Sequence, residues 1–293
     1  MSGLILVTGG SGKTGRRLAQ QLRDQNVNYR AAARGTRGNS DTFPFDWLDR
    51  STWRAALTGV SGVYLVAPAI QGDPAPMVID FVKEAIGAGA KRFVLLSASL
   101  LPAGGPGMGQ VHKWLEDNAE GWAVLRPSWF MQNFSEGPHL ETIRKEGRIY
   151  SAAGDGRVPF IDANDIAACA ASALTSAAPA SADFILTGGD LLSYDDVAAV
   201  ISQVSGQSVT HSRLTAEELQ KLHESRGLNP VAAQMLSMMD TAIAHGAEDR
   251  ITSSVVDLTG RQPKSFAEFA NENAHLWRLT KGNGSPLVLS SIS

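Results

Sequence analysis

The first 25 residues constrain this chain more than any other stretch. An apolar run at residues 4–8, ending in Thr8, passes without a break into Gly9-Gly10-Ser11-Gly12-Lys13-Thr14-Gly15, and residues 12–25 then read as an amphipathic helix. Gly10, Gly12 and Gly15 have the spacing G-x-G-x-x-G, and Gly9, Gly12 and Gly15 also match G-x-x-G-x-x-G. Glycine is required in such a loop because the turn is tight, the backbone must approach a pyrophosphate closely and the helix must pack against the strand. The helix N-terminus adds amide donors and a partial positive charge. Residues 8–15 are therefore expected to hold the diphosphate of a dinucleotide. A triphosphate loop is the competing reading, since Ser11-Gly12-Lys13-Thr14 resembles the end of G-x-x-x-x-G-K-[ST]. That template needs glycine five positions before Gly12, where Val7 stands inside the strand, so the loop is too short.

Apolar stretches of strand length alternate with helical ones through residue 188, the signature of a parallel sheet covered on both faces. Six or seven strands are read at residues 4–8, 29–33, 42–45, 62–66, 92–97, 123–126 and 184–186. Helices are read at 12–25, 51–57, 76–87, 112–118 and 165–174, with an inserted helix at 136–146. Beyond Gly188-Gly189 the pattern becomes helical, with starts marked by Ser193, Thr215 and Ser265, each three residues before an acid at Asp196, Glu218 and Glu268. The expected fold is α/β: a Rossmann-type doubly wound parallel sheet with a smaller, mainly helical C-terminal substrate region. The expected division is a dinucleotide-binding domain over 1–188, a substrate region over 189–278 and a loosely held tail over 279–293.

The end of the second strand distinguishes two dinucleotides, because an acid there binds a ribose hydroxyl whereas a base accepts a 2′-phosphate. Here Arg34 follows the strand, Arg37 is close behind, and no Asp or Glu occurs between Asp24 and Asp41. NADP(H) is thus the expected cofactor, ahead of NAD(H). Asp46 and Trp47, after the third strand, are candidates for the adenine end, with a helix-entry carboxylate as the alternative for Asp46. Ala67, Pro68 and Ser97, at the ends of the fourth and fifth strands, complete the cofactor set.

Reductases on this fold usually carry Tyr-x-x-x-Lys, in which the lysine helps the tyrosine pass a proton to a carbonyl oxygen. Tyr29, Tyr64, Tyr150 and Tyr194 are followed four positions on by Ala33, Pro68, Gly154 and Ala198, so the pair does not exist in this chain. Either another group donates the proton or the substrate, such as an iminium, accepts hydride without one. His112, at the start of the helix that would carry the tyrosine, is the candidate donor or substrate contact. Lys113 beside it cannot share its face. Ser99, Trp129, Phe130, Met131 and Phe134 lie where a substrate should bind, beyond the C-terminal ends of the strands, and form an aromatic, sulfur-rich wall suited to a flat hydrophobic molecule.

The bulk composition removes other classes. With 26 Lys and Arg against 29 Asp and Glu, the chain has no basic field to hold nucleic acid. No apolar run approaches the roughly 20 residues of a membrane span, and residues 1–7 lack the charged and small-residue parts of a signal peptide. Cys169, the single cysteine, lies in an Ala-rich helical run, so neither a disulfide nor a multi-cysteine metal site is expected. A cytoplasmic enzyme with a small hydrophobic substrate, no metal, and no nucleic-acid or membrane partner is the expectation.

Four segments together carry a resemblance: Thr8 to Gly15; Phe45-Asp46-Trp47-Leu48-Asp49; Leu125-Arg126-Pro127-Ser128-Trp129-Phe130-Met131-Gln132-Asn133-Phe134; and Ile149-Tyr150-Ser151-Ala152-Ala153-Gly154-Asp155-Gly156. With Met238-Met239-Asp240 and Thr259-Gly260-Arg261, the chain resembles the NmrA-like, atypical short-chain dehydrogenases from about residue 4 to 277, and within them the festuclavine and agroclavine dehydrogenases of ergot-alkaloid synthesis. The resemblance implies NADPH-dependent reduction of a cyclic iminium, in line with the missing Tyr-x-x-x-Lys. Reduction of C=C bonds or quinones, a redox sensor that binds NADP(H) without turnover, and an isomerase or cyclase that keeps the cofactor as structure are the alternatives.

Overall fold

A computed structural model describes residues 3–34, 42–68, 70, 72–178 and 180–278. Seven parallel strands form the main sheet: β1 (Leu4–Val7), β2 (Tyr29–Ala33), β3 (Phe43–Pro44), β4 (Val60–Leu65), β5 (Arg92–Leu96), β6 (Gly121–Pro127) and, after a short β7 (Arg148–Ser151), β8 (Ala182–Leu186). Their spatial order is β3-β2-β1-β4-β5-β6-β8, so the winding reverses between β1 and β4. All seven strands read from the sequence are present, with their ends displaced by a few residues. The fold is the Rossmann-type doubly wound sheet.

The strands read as continuous apolar runs because both faces are buried. Leu6, Val63, Leu65, Phe93, Leu95 and Val124 face a core closed by α2 (Ser51–Leu57), α3 (Ala75–Gly87) and α4 (Met108–Asn118). Within it Trp47, Trp53 and Phe81 meet edge to face at 5.0 to 6.3 Å, a geometry that suits their ring quadrupoles. Ile5, Val7, Tyr64, Val94 and Leu125 face the opposite core under α1 (Lys13–Asp24) and α6 (Ala163–Thr175). The Ala-rich face of α6 lets it lie close to the sheet and to α1, and Cys169 is buried there, its thiol pushed up to about 12 by burial.

A third core lies beyond one end of the sheet and draws on residues from both sides of the expected division at residue 188. Met131, Phe134, Ile143, Ile149 and Phe160 join Tyr194, Phe266, Phe269 and Trp277 in one cluster, so this unit begins some 60 residues earlier in the chain than the change of pattern suggests. The reason is the inserted α5 (Pro138–Glu146), whose apolar side packs with the C-terminal helices α7 (Tyr194–Ser205), α9 (Pro230–Ala244) and α11 (Phe266–Asn273). The other helices are α8 (Ala216–Ser225) and α10 (Ser254–Thr259). Ser193, Thr215 and Ser265 each form a reciprocal capping box with the acid three positions on, as their spacing predicts. Trp277 closes this core, its indole N–H donating to the Phe134 carbonyl at 2.7 Å.

Both strands of a second sheet escaped the sequence reading. β7 pairs in parallel with β9 (Thr210–Arg213) to make a small second sheet, and β9, Thr-His-Ser-Arg, has no apolar signature. A polar line crosses it. The Ser151 hydroxyl is 2.8 Å from His211 Nε2, and His211 Nδ1 is 3.2 Å from Asp195. The order imitates a nucleophile, base and acid, yet Ser151 is wholly buried and serves to tie the small sheet to α7. Among the described residues, no helix is long and apolar enough to cross a membrane.

Two consequences are measurable. Phe134→Ala should remove about 3–5 kcal/mol of stability, because the ring is fully buried among Phe160, Tyr194 and Phe266; a urea midpoint little changed would show that this core collapses around the gap. Glu136 receives both Arg16 and Arg17 of α1. Burial raises its pKa, but the two guanidiniums outweigh burial and leave it below the ordinary carboxylate range. The pair therefore stabilises the fold above the unfolded pKa of about 4.3, and its contribution disappears as pH falls through the lowered folded value. Glu136→Gln should cost at most about 1 kcal/mol at pH 7, with wild type and variant converging in acid.

Candidate active site

The phosphate loop is assembled by contacts that exclude side chains. Thr8 directly follows β1, donates its hydroxyl to the Tyr64 carbonyl and accepts from the Val66 amide, both at 2.9 Å, so it pins the loop to β4. Gly9 has φ +62°, which glycine adopts without strain. Gly10 donates to the Ala32 carbonyl at 2.8 Å, and a Cβ placed on it would stand 2.9 to 3.1 Å from Ala31. On Gly15 a Cβ would stand 2.2 Å from the Gly9 carbonyl oxygen. Gly12 caps α1 without a side chain, the first turn holds no acid, and Ser11 and Gly12 are exposed. The first-turn amides are thus open to an anion, and the cradle fits the diphosphate of a dinucleotide.

The candidates for the adenosine end divide. Arg34 is exposed immediately after β2, whereas Arg37 lies outside the described residues. Trp47 is corrected: it is buried in the first core against Trp53 and Phe81. One Asp46 carboxylate oxygen accepts from the Leu48 amide at 2.9 Å, so it closes the turn before α2, while the first amide of α2 is met by Asp49 at 3.0 Å. Ala67 and Pro68 are half-buried at the C-terminal end of β4.

Beyond the C-terminal ends of β5 and β6 lies a cleft of about 310 Å³, lined by Lys13, Ser97, Ala98, Ser99, Pro127, Ser128, Trp129, Phe130, Asn133, Met239 and Glu248. Five sequence candidates meet here: Lys13 from the phosphate loop, Ser97 and Ser99 from the end of β5, and Trp129 and Phe130 from the end of β6. Three of the substrate candidates do not line it. Met131 and Phe134 are buried in the third core, because the chain turns through a short 3₁₀ segment at Met131–Asn133. His112 is buried against Trp122 with ring centroids 5.7 Å apart, its Nδ1 has no hydrogen-bond partner, and burial holds its pKa below the ordinary imidazole value. None of the four tyrosines lines the cleft; Tyr64 and Tyr194 are buried, and burial raises both phenols well above their ordinary value.

Sequence reading missed Glu248. It is 1 % exposed, and its two oxygens accept from the hydroxyls of Ser99 and Ser128, the second at 3.1 Å. Arg126 donates to the Ser99 carbonyl at 2.8 Å and to Asp183 at 2.6 Å. Arg250 donates to the carbonyls of Ala247 and Ser99 and stops 3.9 Å from Glu248. Glu248, Arg126 and Arg250 therefore each have a hydrogen-bond partner, as burial demands. The Ser97 hydroxyl is buried without one. A larger polar groove, about 450 Å³ between α1, α6 and α10, has Arg261 as its one charged group, and that group is paired with Asp165 at 2.7 Å.

Comparison with known proteins agrees with this geometry. Residues 9–177 match the NAD(P)H-binding family and residues 110–272 the NmrA-like family. Agroclavine dehydrogenase of Claviceps fusiformis is 44% identical over 287 residues, covering 93% of this chain and 98% of that protein. An uncharacterized oxidoreductase, YesF, of Bacillus subtilis is 42% identical, covering 93% and 96%. The NADPH-dependent quinone oxidoreductase QOR2 of Escherichia coli, solved with NADPH, shares the fold with a TM-score of 0.73 at 23% identity, covering 92% and 99%. A phosphate cradle at the switch point of a 3-2-1-4-5-6 sheet, matched to both family models over more than half the chain each, makes this protein a member of the NAD(P)H-binding, NmrA-like family, with the agroclavine dehydrogenases among its relatives.

Proposed function

We propose that the protein is an NADPH-dependent reductase that reduces the C=N carbon of a small, hydrophobic cyclic imine or iminium. The observation that carries this reading is the composition of the cleft beside the phosphate loop: it holds two aromatic residues, three serines, Lys13 and a buried carboxylate, but neither a tyrosine nor a histidine. A ketone reduced there would leave an alkoxide without the usual proton donor. An iminium carbon accepts hydride directly, since its nitrogen takes the electron pair and becomes a neutral amine. When bound, the nicotinamide supplies the hydride. The protein then has to orient the substrate and exclude water, a task suited to Trp129, Phe130 and Met239. The 44% identity to agroclavine dehydrogenase supports the same class.

Exposed Arg34, directly after β2 and with no acid before Asp41, favours the 2′-phosphate of NADPH. The first test is absorbance at the reduced-nicotinamide band with NADPH and a panel of cyclic imines, enones and quinones. Consumption with an imine is expected. Tight NADPH binding without turnover on any of them would instead indicate a redox sensor, and turnover confined to quinones would reassign the substrate class. Arg34→Ala should raise the KM for NADPH about tenfold or more, as loss of a charge-assisted contact does, with little effect on NADH; equal losses would refute the preference. His112→Ala should leave kcat within about twofold, a span smaller than the typical 10² or more of a lost general acid, and a hundredfold fall would make His112 the donor after all.

A further inference from the structure

The cleft floor has a polarity that narrows the substrate further. A carboxylate offers acceptors and no donor, whereas a serine hydroxyl offers one proton and two lone pairs. Ser99 and Ser128 both direct their single proton to Glu248, so each hydroxyl has only lone pairs left for a ligand. Two arginines hold the Ser99 backbone through its carbonyl. Arg250 does not line the cleft and stops 3.9 Å from Glu248, beyond hydrogen-bond reach, whereas Lys13 lines the cleft from the phosphate loop. Ser99, Ser128 and Glu248 thus present acceptors and a negative charge, while Trp129 and Phe130 stand in the same wall, where aromatic faces attract cations.

We propose that Glu248 is the specificity-determining residue of this site: with Ser99 and Ser128 it engages the positively charged nitrogen of the substrate and of the protonated product amine. The proposal rests on the reductase reading for the identity of the ligand but not for its charge preference. The charge also bears on the direction of binding energy. Attraction for the cationic substrate fades as hydride arrives and the nitrogen becomes neutral, so Glu248 acts chiefly in capture and orientation and its loss should appear in KM more than in kcat.

The test is calorimetric binding to the full-length protein in the presence of NADP⁺, with 1,2,3,4-tetrahydroisoquinoline as a cation and isochroman as its neutral oxygen isostere. Wild type should bind the amine at least about tenfold more tightly than the ether, about 1.4 kcal/mol. Glu248→Gln keeps the shape and an acceptor but removes the charge; it should lose about tenfold in affinity for the amine and less than about twofold for the ether. Ser128→Ala, which keeps the carboxylate, should fall between. Equal binding of the two probes by wild type, or unchanged amine affinity in Glu248→Gln, overturns the proposal. The wild-type comparison decides even if the variant fails to fold. Amine selectivity without imine turnover would refute the reductase reading alone, and imine turnover without amine selectivity would refute the role of Glu248 alone.

Discussion

The constraint on which the site depends is the contact between the first turn of α1 and the loop that leaves β1. Gly15 lies so near the Gly9 carbonyl that a single methyl group would stand 2.2 Å from it, and one on Gly10 would stand 2.9 to 3.1 Å from Ala31 of β2. No side chain can fill this space, so the helix settles on the strand with its amide end exposed at the point where the sheet reverses its winding. Both α1 contacts that define the site follow from that position. Lys13 reaches the cleft beyond β5 and β6, and Arg16 and Arg17 grip Glu136 in the segment that begins the third core. One backbone approach thereby couples the phosphate cradle to the unit that closes the substrate cleft.

The same cleft shows how a buried charge is tolerated. An isolated carboxylate withdrawn from water would be strongly unfavourable, and a buried ion pair stabilises only when its remaining lone pairs are satisfied. Glu248 meets that condition with two serine hydroxyls, and Arg126, Asp183 and Arg250 extend the network to the edge of the sheet. These groups are drawn from segments up to 151 residues apart in the chain. Such a network orders the site but does little for net stability, which comes from the three apolar cores around it.

Local signals were legible wherever one residue's neighbours in sequence are also its neighbours in space. The glycine spacing at 9–15, the seven strands and the capping boxes at Ser193, Thr215 and Ser265 are of this kind. The β7–β9 sheet was not, because His211 and Ser212 occupy strand positions through pairing with β7 and not through any apolar alternation. The run 129–134 illustrates the boundary between the two cases. Its aromatic character is plain in the sequence, yet its pairing with Ile161 and the turn at Met131–Asn133 send Trp129 and Phe130 to the cleft and Met131 and Phe134 into the core.

The sequence by itself determined the Rossmann-type sheet, the phosphate loop and the absence of a Tyr-x-x-x-Lys pair, since each depends on residue type at short spacing and on the period of burial. Only the tertiary structure decided which polar groups meet the substrate. Glu248 becomes part of the site because the segment after α9 returns over the ends of β5 and β6, bringing its carboxylate to serines 149 and 120 positions away. His112 leaves the site because its helix turns that side chain toward Trp122. Long-range packing of the third core against the sheet makes both choices, and no local pattern encodes it.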